Sequence, residues 1–458
     1  QMRELILIEL YKLEYVWAGN PIGNFGLENL QLIHIKSCPC LTDLFYYDVT
    51  KKLHKLNELK IEACGKLKEL VYSLGETQKP PAKFPSLTKV ELKSLSRLQF
   101  FYIYGVELPS LKSLTIEKCP QLKSFTNGHC MELKMLFNID GKISHSTELL
   151  QQLDELILND LPNLTQIINK EIVKFNQDLK ILQVKNCESL EWLPISQVLK
   201  NMEITDCMAL HKIMIIHEEE GRRGKTTFAQ LKDVFNKLKK LTLEKCELLA
   251  EVFILEGDKP NHDNQEMLPQ LRVLAMSNLS KLTCFWNKEP QVPFFLNLVS
   301  LFIIHCHCLK SLFSLSQAKN LDKLKIFRLC NCEKVEEVIS SDKGEKVATI
   351  FPKMKCLVLK DLPNLVNFSQ EGGCFNWPNL QTVRVNNIPS MKTFLRDDLN
   401  TPLLKSVYIT FVKKLWLGNL KKTISYMHNN PGPFKPCFKA INFDKNGSGS
   451  NKFMFLMM

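Results

Sequence analysis

Apolar residues recur along the chain in a fixed figure. In "LNELKIEACGKLKEL" from Leu56, "LKSLTIEKCPQLKSF" from Leu111 and "LKKLTLEKCELLAEV" from Leu238 they fall at offsets 0, 3, 5, 8, 11 and 14, with cysteine at offset 8. The same frame fits fifteen times, starting at Met2, Leu30, Leu56, Leu87, Leu111, Leu153, Leu179, Leu199, Leu238, Leu271, Leu298, Leu324, Met354, Leu380 and Leu404. Offsets 3 and 5 alternate with period two, which predicts a short strand with one buried face. Offsets 8, 11 and 14 recur every third residue and predict a turn with a return segment.

A unit of this size cannot bury enough apolar surface to fold alone, so the units must stack and share one core. Stacked strands bond to neighbours on both sides, and strands joined by crossovers coil right-handed. The expected fold is an α/β solenoid: right-handed and curved, with a parallel sheet on the concave face and irregular or short helical returns on the convex face. The array is expected to fill residues 1–418. Residues 419–458 should form a C-terminal cap, with "GNLKKTISYMHNN" as its helix, and a disordered tail.

Composition narrows the class. The chain has 458 residues, 45% of them hydrophobic, and no apolar run long enough to cross a bilayer, which argues against a membrane protein. Its formal net charge of +12 comes from lysines interleaved with glutamates along the whole sequence, the pattern of a solvated repeat surface rather than of a nucleic-acid binder. Of sixteen cysteines, half occupy offset 8: Cys38, Cys64, Cys119, Cys187, Cys207, Cys246, Cys306 and Cys332. There a small side chain can reach a backbone carbonyl, so these read as reduced, inert core thiols, and the chain as cytoplasmic. "QMRELILIEL" at the start carries neither the charged region nor the cleavage site of a secretory signal. Sequons at Asn163, Asn278, Asn367 and Asn446 are what an extracellular placement would use.

The candidate chemistry is sparse. "HEEEGRRGKTTF", from His217 to Phe228, contains Gly224, Lys225 and Thr226, but a phosphate-binding loop needs a glycine where Glu219 stands. It reads as an insertion between repeats, like the stretches 126–148 and 256–266. "HCHC", His305 to Cys308, with Cys330 and Cys332 one repeat later, offers the best ligand set for a metal. Zinc sites use spacings such as CxxC, however, and alternate residues here point in different directions. No nucleophile elbow or metalloprotease helix is present. No catalytic residue, metal or cofactor is therefore expected, and the protein is read as not an enzyme.

What a curved array offers is a long concave surface. Offsets 2, 4 and 6 must face outward if 3 and 5 face in. In the last third, offset 4 carries Phe302, Arg328, Arg384 and Tyr408, with Ile304 and Ile326 alongside. Aromatics and arginines are the types enriched at binding hot spots, so these six residues are the candidate partner site.

The repeats are identified as leucine-rich repeats, LxxLxLxxC/N with a variable part. Their two flavours, one with cysteine at offset 8 as in "LKILQVKNCESLEWL", the other with "LP.L" as in "MKCLVLKDLPNLVNF" and often led by "FP" (Phe84, Pro85; Phe351, Pro352), resemble the leucine-rich domain of plant intracellular immune receptors that also carry a coiled coil and a nucleotide-binding module. That resemblance implies protein partners: a pathogen effector or guarded host protein, and the receptor's own nucleotide-binding module. Leucine-rich arrays also serve as substrate-receptor arms of F-box ubiquitin ligases and as extracellular ectodomains, and both remain open at this stage.

Overall fold

In a computed structural model of the chain, the described residues are 2–17, 26–73, 79–125, 135–137, 152–168, 179–195, 198–215, 236–253, 266–286, 293–340, 350–369, 375–396, 399–410 and 413–430. One sixteen-stranded sheet runs through them, each strand beside the next in chain order. It begins at Glu4–Ile8, passes through strands such as Leu32–Lys36, Lys89–Lys93 and Ser300–Ile304, and reaches Val407–Tyr408 with every pairing parallel. The final strand, Lys414–Leu415, pairs antiparallel with Val407–Tyr408 and covers that edge. This is the expected solenoid with a parallel sheet.

Register follows from the apolar frame. Equal offsets pair across the sheet, so that Ile33 faces Leu59 and Ile303 faces Leu329. Most strands alternate between buried and half-buried residues, with offsets 3 and 5 inward. A slip of one residue would turn every buried leucine to solvent, which is why the register is uniform.

The turn after each strand has one recurring geometry. At offset 7 the backbone is left-handed in fourteen successive repeats, from Glu9 at φ 57° to Asn387 at φ 51°. The twist reverses the chain while its N–H stays in the ladder: Ser37 donates to the Glu62 carbonyl at 2.9 Å and Asn331 to the Lys360 carbonyl at 2.8 Å. The next residue then enters the core. Where it is cysteine, Sγ donates to the carbonyl two residues back, at 3.4 Å for Cys64 and 3.3 Å for Cys332.

Behind the sheet the core is continuous. Rings of successive repeats touch along it: Trp17 and Phe45 at 5.5 Å, Phe45 and Phe84 at 5.9 Å, Phe84 and Phe101 at 5.6 Å, Phe101 and Phe125 at 5.3 Å. The fully buried Trp377 satisfies its indole N–H on the Ile350 carbonyl at 2.9 Å.

The returns differ from a purely irregular or helical expectation in one respect. Besides the short helices Tyr47–Thr50 and Leu315–Ala318, they carry short strands that pair in parallel, such as Glu251–Phe253 with Cys284–Trp286. Equal offsets of neighbouring repeats stand at the same height, so extended returns also find partners for their N–H and C=O groups. "KIMII" contributes to this layer through Lys212–Ile215, paired with Trp192–Ile195.

After the final strand, Leu420–Asn429 is a helix, begun by Asn419, whose side-chain oxygen accepts from the Lys422 N–H at 2.8 Å. Leu420 and Ile424 bury their side chains against the end of the core. Residues 431–458, where a disordered tail is expected, lie outside the described residues.

Candidate interaction surface

The outward residues at offset 4 form one line across the whole sheet. It starts Ile6, His34, Lys60, Glu91, Thr115, each paired with the next. It ends Ala275, Phe302, Arg328, Val358, Arg384, Tyr408, Lys414. These side chains stand side by side because their strands are about 4.8 Å apart.

Along this face the electrostatics change character. Its early part is self-neutralised. Glu58 takes Lys60 at 3.0 Å and Lys89 at 3.3 Å, and Glu91 takes Lys89 at 2.6 Å and Lys93 at 3.6 Å. Burial opposes ionisation of Glu58 and Glu91, yet these lysines outweigh it and hold both carboxyls below the usual range. Farther along, Lys240 meets Glu203 at 3.9 Å and Lys245 meets Asp206 at 2.8 Å.

The late part pairs cations with rings instead. The Arg328 guanidinium carbon is 5.6 Å from the Phe302 ring centre, and that of Arg384 is 5.3 Å from Tyr408. Lys414 brings its ammonium to 4.5 Å from the same tyrosine ring. The Nε of Arg328 is shielded from solvent and has no hydrogen-bond acceptor among the described residues. Of the six residues expected at the site, Phe302, Arg328, Arg384 and Tyr408 therefore lie in a single row. Ile326 and Ile304 flank its first half: Ile326 is paired with Ser300 at one end of the strands, and Ile304 with Cys330 at the other.

Sequence reading passed over two members of the row. Val358, between the arginines, is legible at the same offset but falls outside the candidate set because it is neither aromatic nor cationic. Lys414 is not legible there, because it reaches Tyr408 from an antiparallel strand outside the repeat frame.

The other chemical candidates lie elsewhere. Cys306 points into the core and donates to the Ile304 carbonyl at 3.6 Å, while His305 occupies the left-handed turn position. His305 and His307 have ring centres 5.9 Å apart, and His307 Nδ1 lies 3.6 Å from Glu333. No group of three or more metal-ligating side chains occurs among the described residues. The "GKTT" segment, and nearly all of the stretches 126–148 and 256–266, lie outside the described residues. Among the described residues no helix is long and apolar enough to cross a membrane.

Fold and surface thus define a leucine-rich repeat solenoid. The chain matches the plant disease resistance protein RPS2-like leucine-rich repeats over residues 1–65, 126–208 and 198–333, and it belongs to that family. A protein of Arabidopsis thaliana named as a disease resistance protein is 28% identical over 188 residues, 41% of this chain. The matched segment spans only 14% of that relative's length. Among solved structures, a leucine-rich repeat protein of Leptospira interrogans is similar with a TM-score of 0.35 at 14% identity, covering 88% of this chain and 91% of that one. An internalin of Listeria monocytogenes follows with a TM-score of 0.23 at 12% identity, covering 89% and 86%.

Proposed function

We propose that this chain is the recognition array of a plant disease resistance protein. It acts in the cytoplasm and without catalysis. It senses pathogen effectors or modified host proteins on the concave sheet face, and it restrains a nucleotide-binding switch module encoded outside these residues. The observation that carries the reading is the row from Phe302 to Lys414, where aromatic and cationic side chains share one exposed face of a rigid sheet. Aromatics and arginine are enriched at binding hot spots, and contact with Phe302 and Tyr408 leaves the two arginines less freedom to lose when they are covered. The family supplies the context of disease resistance.

The test is a complementation in leaf tissue. The native receptor gene is expressed without these residues, and the array is supplied as a separate chain. Cell death in the deleted receptor, suppressed by the separate array and accompanied by co-precipitation of the two pieces, is the expected result. A deleted receptor that stays silent, with no association between the pieces, would overturn the restraint.

A further inference from the structure

The concave face changes in its charge balance as well as in its residue types. Strands from Leu32–Lys36 to Lys240–Glu244 present outward carboxylates such as Glu58, Glu91, Glu155 and Glu203 among their lysines. From Val273–Ser277 to Val407–Tyr408, six strands present none at an outward position. Arg328, Lys360 and Arg384 stand there instead, and Lys360 is partly answered by Asp361 at 3.4 Å. In this stretch Arg328 and Arg384 each stand against a ring, and among the described residues the Arg328 Nε has no acceptor. A charged donor shielded from water without an acceptor is costly unless something supplies one.

Between the arginines lies Val358, half-buried and paired with both. Arg328 and Arg384 are two strand spacings apart, about 10 Å. An extended chain laid across the strands points residues i, i+2 and i+4 to one face, and spans about 13 Å between the outer two, within reach of two long side chains.

Resting on the recognition reading above, we infer that the surface around Arg328, Val358 and Arg384 takes an extended acidic segment of a partner protein. An aliphatic side chain sits over Val358, and a carboxylate two residues to either side meets each guanidinium. Arginine suits this task, since its planar fork can bond a carboxylate twice while its face stays on the ring. Phe302 and Tyr408 hold the two forks in place from outside.

The experiment is fluorescence anisotropy on the full chain with a labelled peptide, glutamate-serine-leucine-serine-glutamate flanked by glycines. Saturable binding is expected, at least about tenfold weaker when both glutamates are glutamine, since the charge-assisted bonds are then lost. Arg328→Gln and Arg384→Gln should each weaken it about fivefold or more, and Lys93→Gln, outside the strip, should not. Val358→Asp, whose carboxylate would compete for both arginines, should abolish it. Unchanged melting curves establish that the variants fold.

Equal affinity for the glutamate and glutamine peptides, indifference to the arginine variants, or no binding would overturn the inference. So would tighter binding of a labelled single-stranded oligonucleotide. Such failure, with association of array and switch module intact, removes this site and leaves the recognition reading standing. Peptide binding with no such association removes the restraint and leaves the site.

Discussion

Arg384 and Tyr408 stand on neighbouring strands with the guanidinium carbon 5.3 Å from the ring centre, and the Lys414 ammonium approaches the same ring at 4.5 Å. Two cations share one quadrupole, so the ring offsets a repulsion between like charges as well as attracting each. Removing the ring face while keeping apolar bulk should expose that repulsion. Tyr408→Leu is expected to lower stability by about 0.5–1 kcal/mol, and Tyr408→Phe by much less, because phenylalanine keeps the face. Urea unfolding of the three proteins measures it; equal losses in both variants would mean that the tyrosine hydroxyl, which both lack, and not the ring face carries the effect.

The offset-8 thiols should be silent in the native protein. Burial pushes Cys64 and Cys306 up to about 11, and Cys119 and Cys207 up to about 12; it raises Cys187, Cys246 and Cys332 further still. The thiolate is the reactive form, and these positions also lack solvent access. A maleimide pulse at pH 7.5 followed by peptide mass mapping should modify the more exposed Cys40 and Cys308 and spare these buried cysteines. Unfolding in urea should make them labelable. Rapid native labelling of Cys187 or Cys246 would contradict the packing.

Strand register was legible in the sequence because the same offsets repeat with the same residue types: Leu59, Ile61 and Cys64 announce the inward side of their repeat, and Leu241, Leu243 and Cys246 announce it again. The outward row follows from it by alternation alone. The cation and ring contacts do not, since register sets which residues are neighbours but not how arginine rotamers settle on Phe302 or Tyr408. The paired strands of the return layer were hidden for another reason. Phe253 and Trp286 look like ordinary core aromatics in sequence, and only stacking of the repeats brings their rings to 4.5 Å and their backbones into register.

Glu69 predicts a pH response. Burial raises its carboxyl to about 7, the Asp43 charge adds to this, and a bond from the Ile103 N–H opposes it. The unfolded chain ionises the same group near 4.5, so between roughly pH 4.5 and 7 the folded protein holds a proton that the unfolded one has released. Stability from this group is complete below the lower value and falls as pH rises through the window. Glu69→Gln cannot ionise and should therefore melt higher than the parent at pH 8, with the difference vanishing near pH 4. Melting temperatures of both proteins across that range decide it: parallel curves would place the Glu69 carboxyl in solvent.

The left-handed turn gives the most general prediction, because one geometry serves fourteen repeats occupied by different residues. Asn186 suits it, and its side-chain amide also bonds the Asp160 carboxylate at 2.6 Å, which itself stands at the turn of the preceding repeat. Lys118, at φ 55°, makes no side-chain bond of that kind among the described residues, and its Cβ crowds the backbone as any L-residue does in this region. Lys118→Gly removes that crowding but gives the unfolded chain more freedom. The two effects leave a net gain of about 0.5–1 kcal/mol. Lys118→Val adds branching at the crowded atom and should cost about 1–2 kcal/mol or more. Since the N–H of Lys118 bonds the Asn159 carbonyl of the next strand at 2.9 Å, the loss should spread to the neighbouring repeat. Hydrogen exchange would then show faster exchange in both the Ser113–Glu117 and Glu155–Asn159 strands of the valine variant, and unchanged exchange near Arg384. Acceleration confined to residue 118 would mean that the turn is a local adjustment and not part of the ladder joining the repeats.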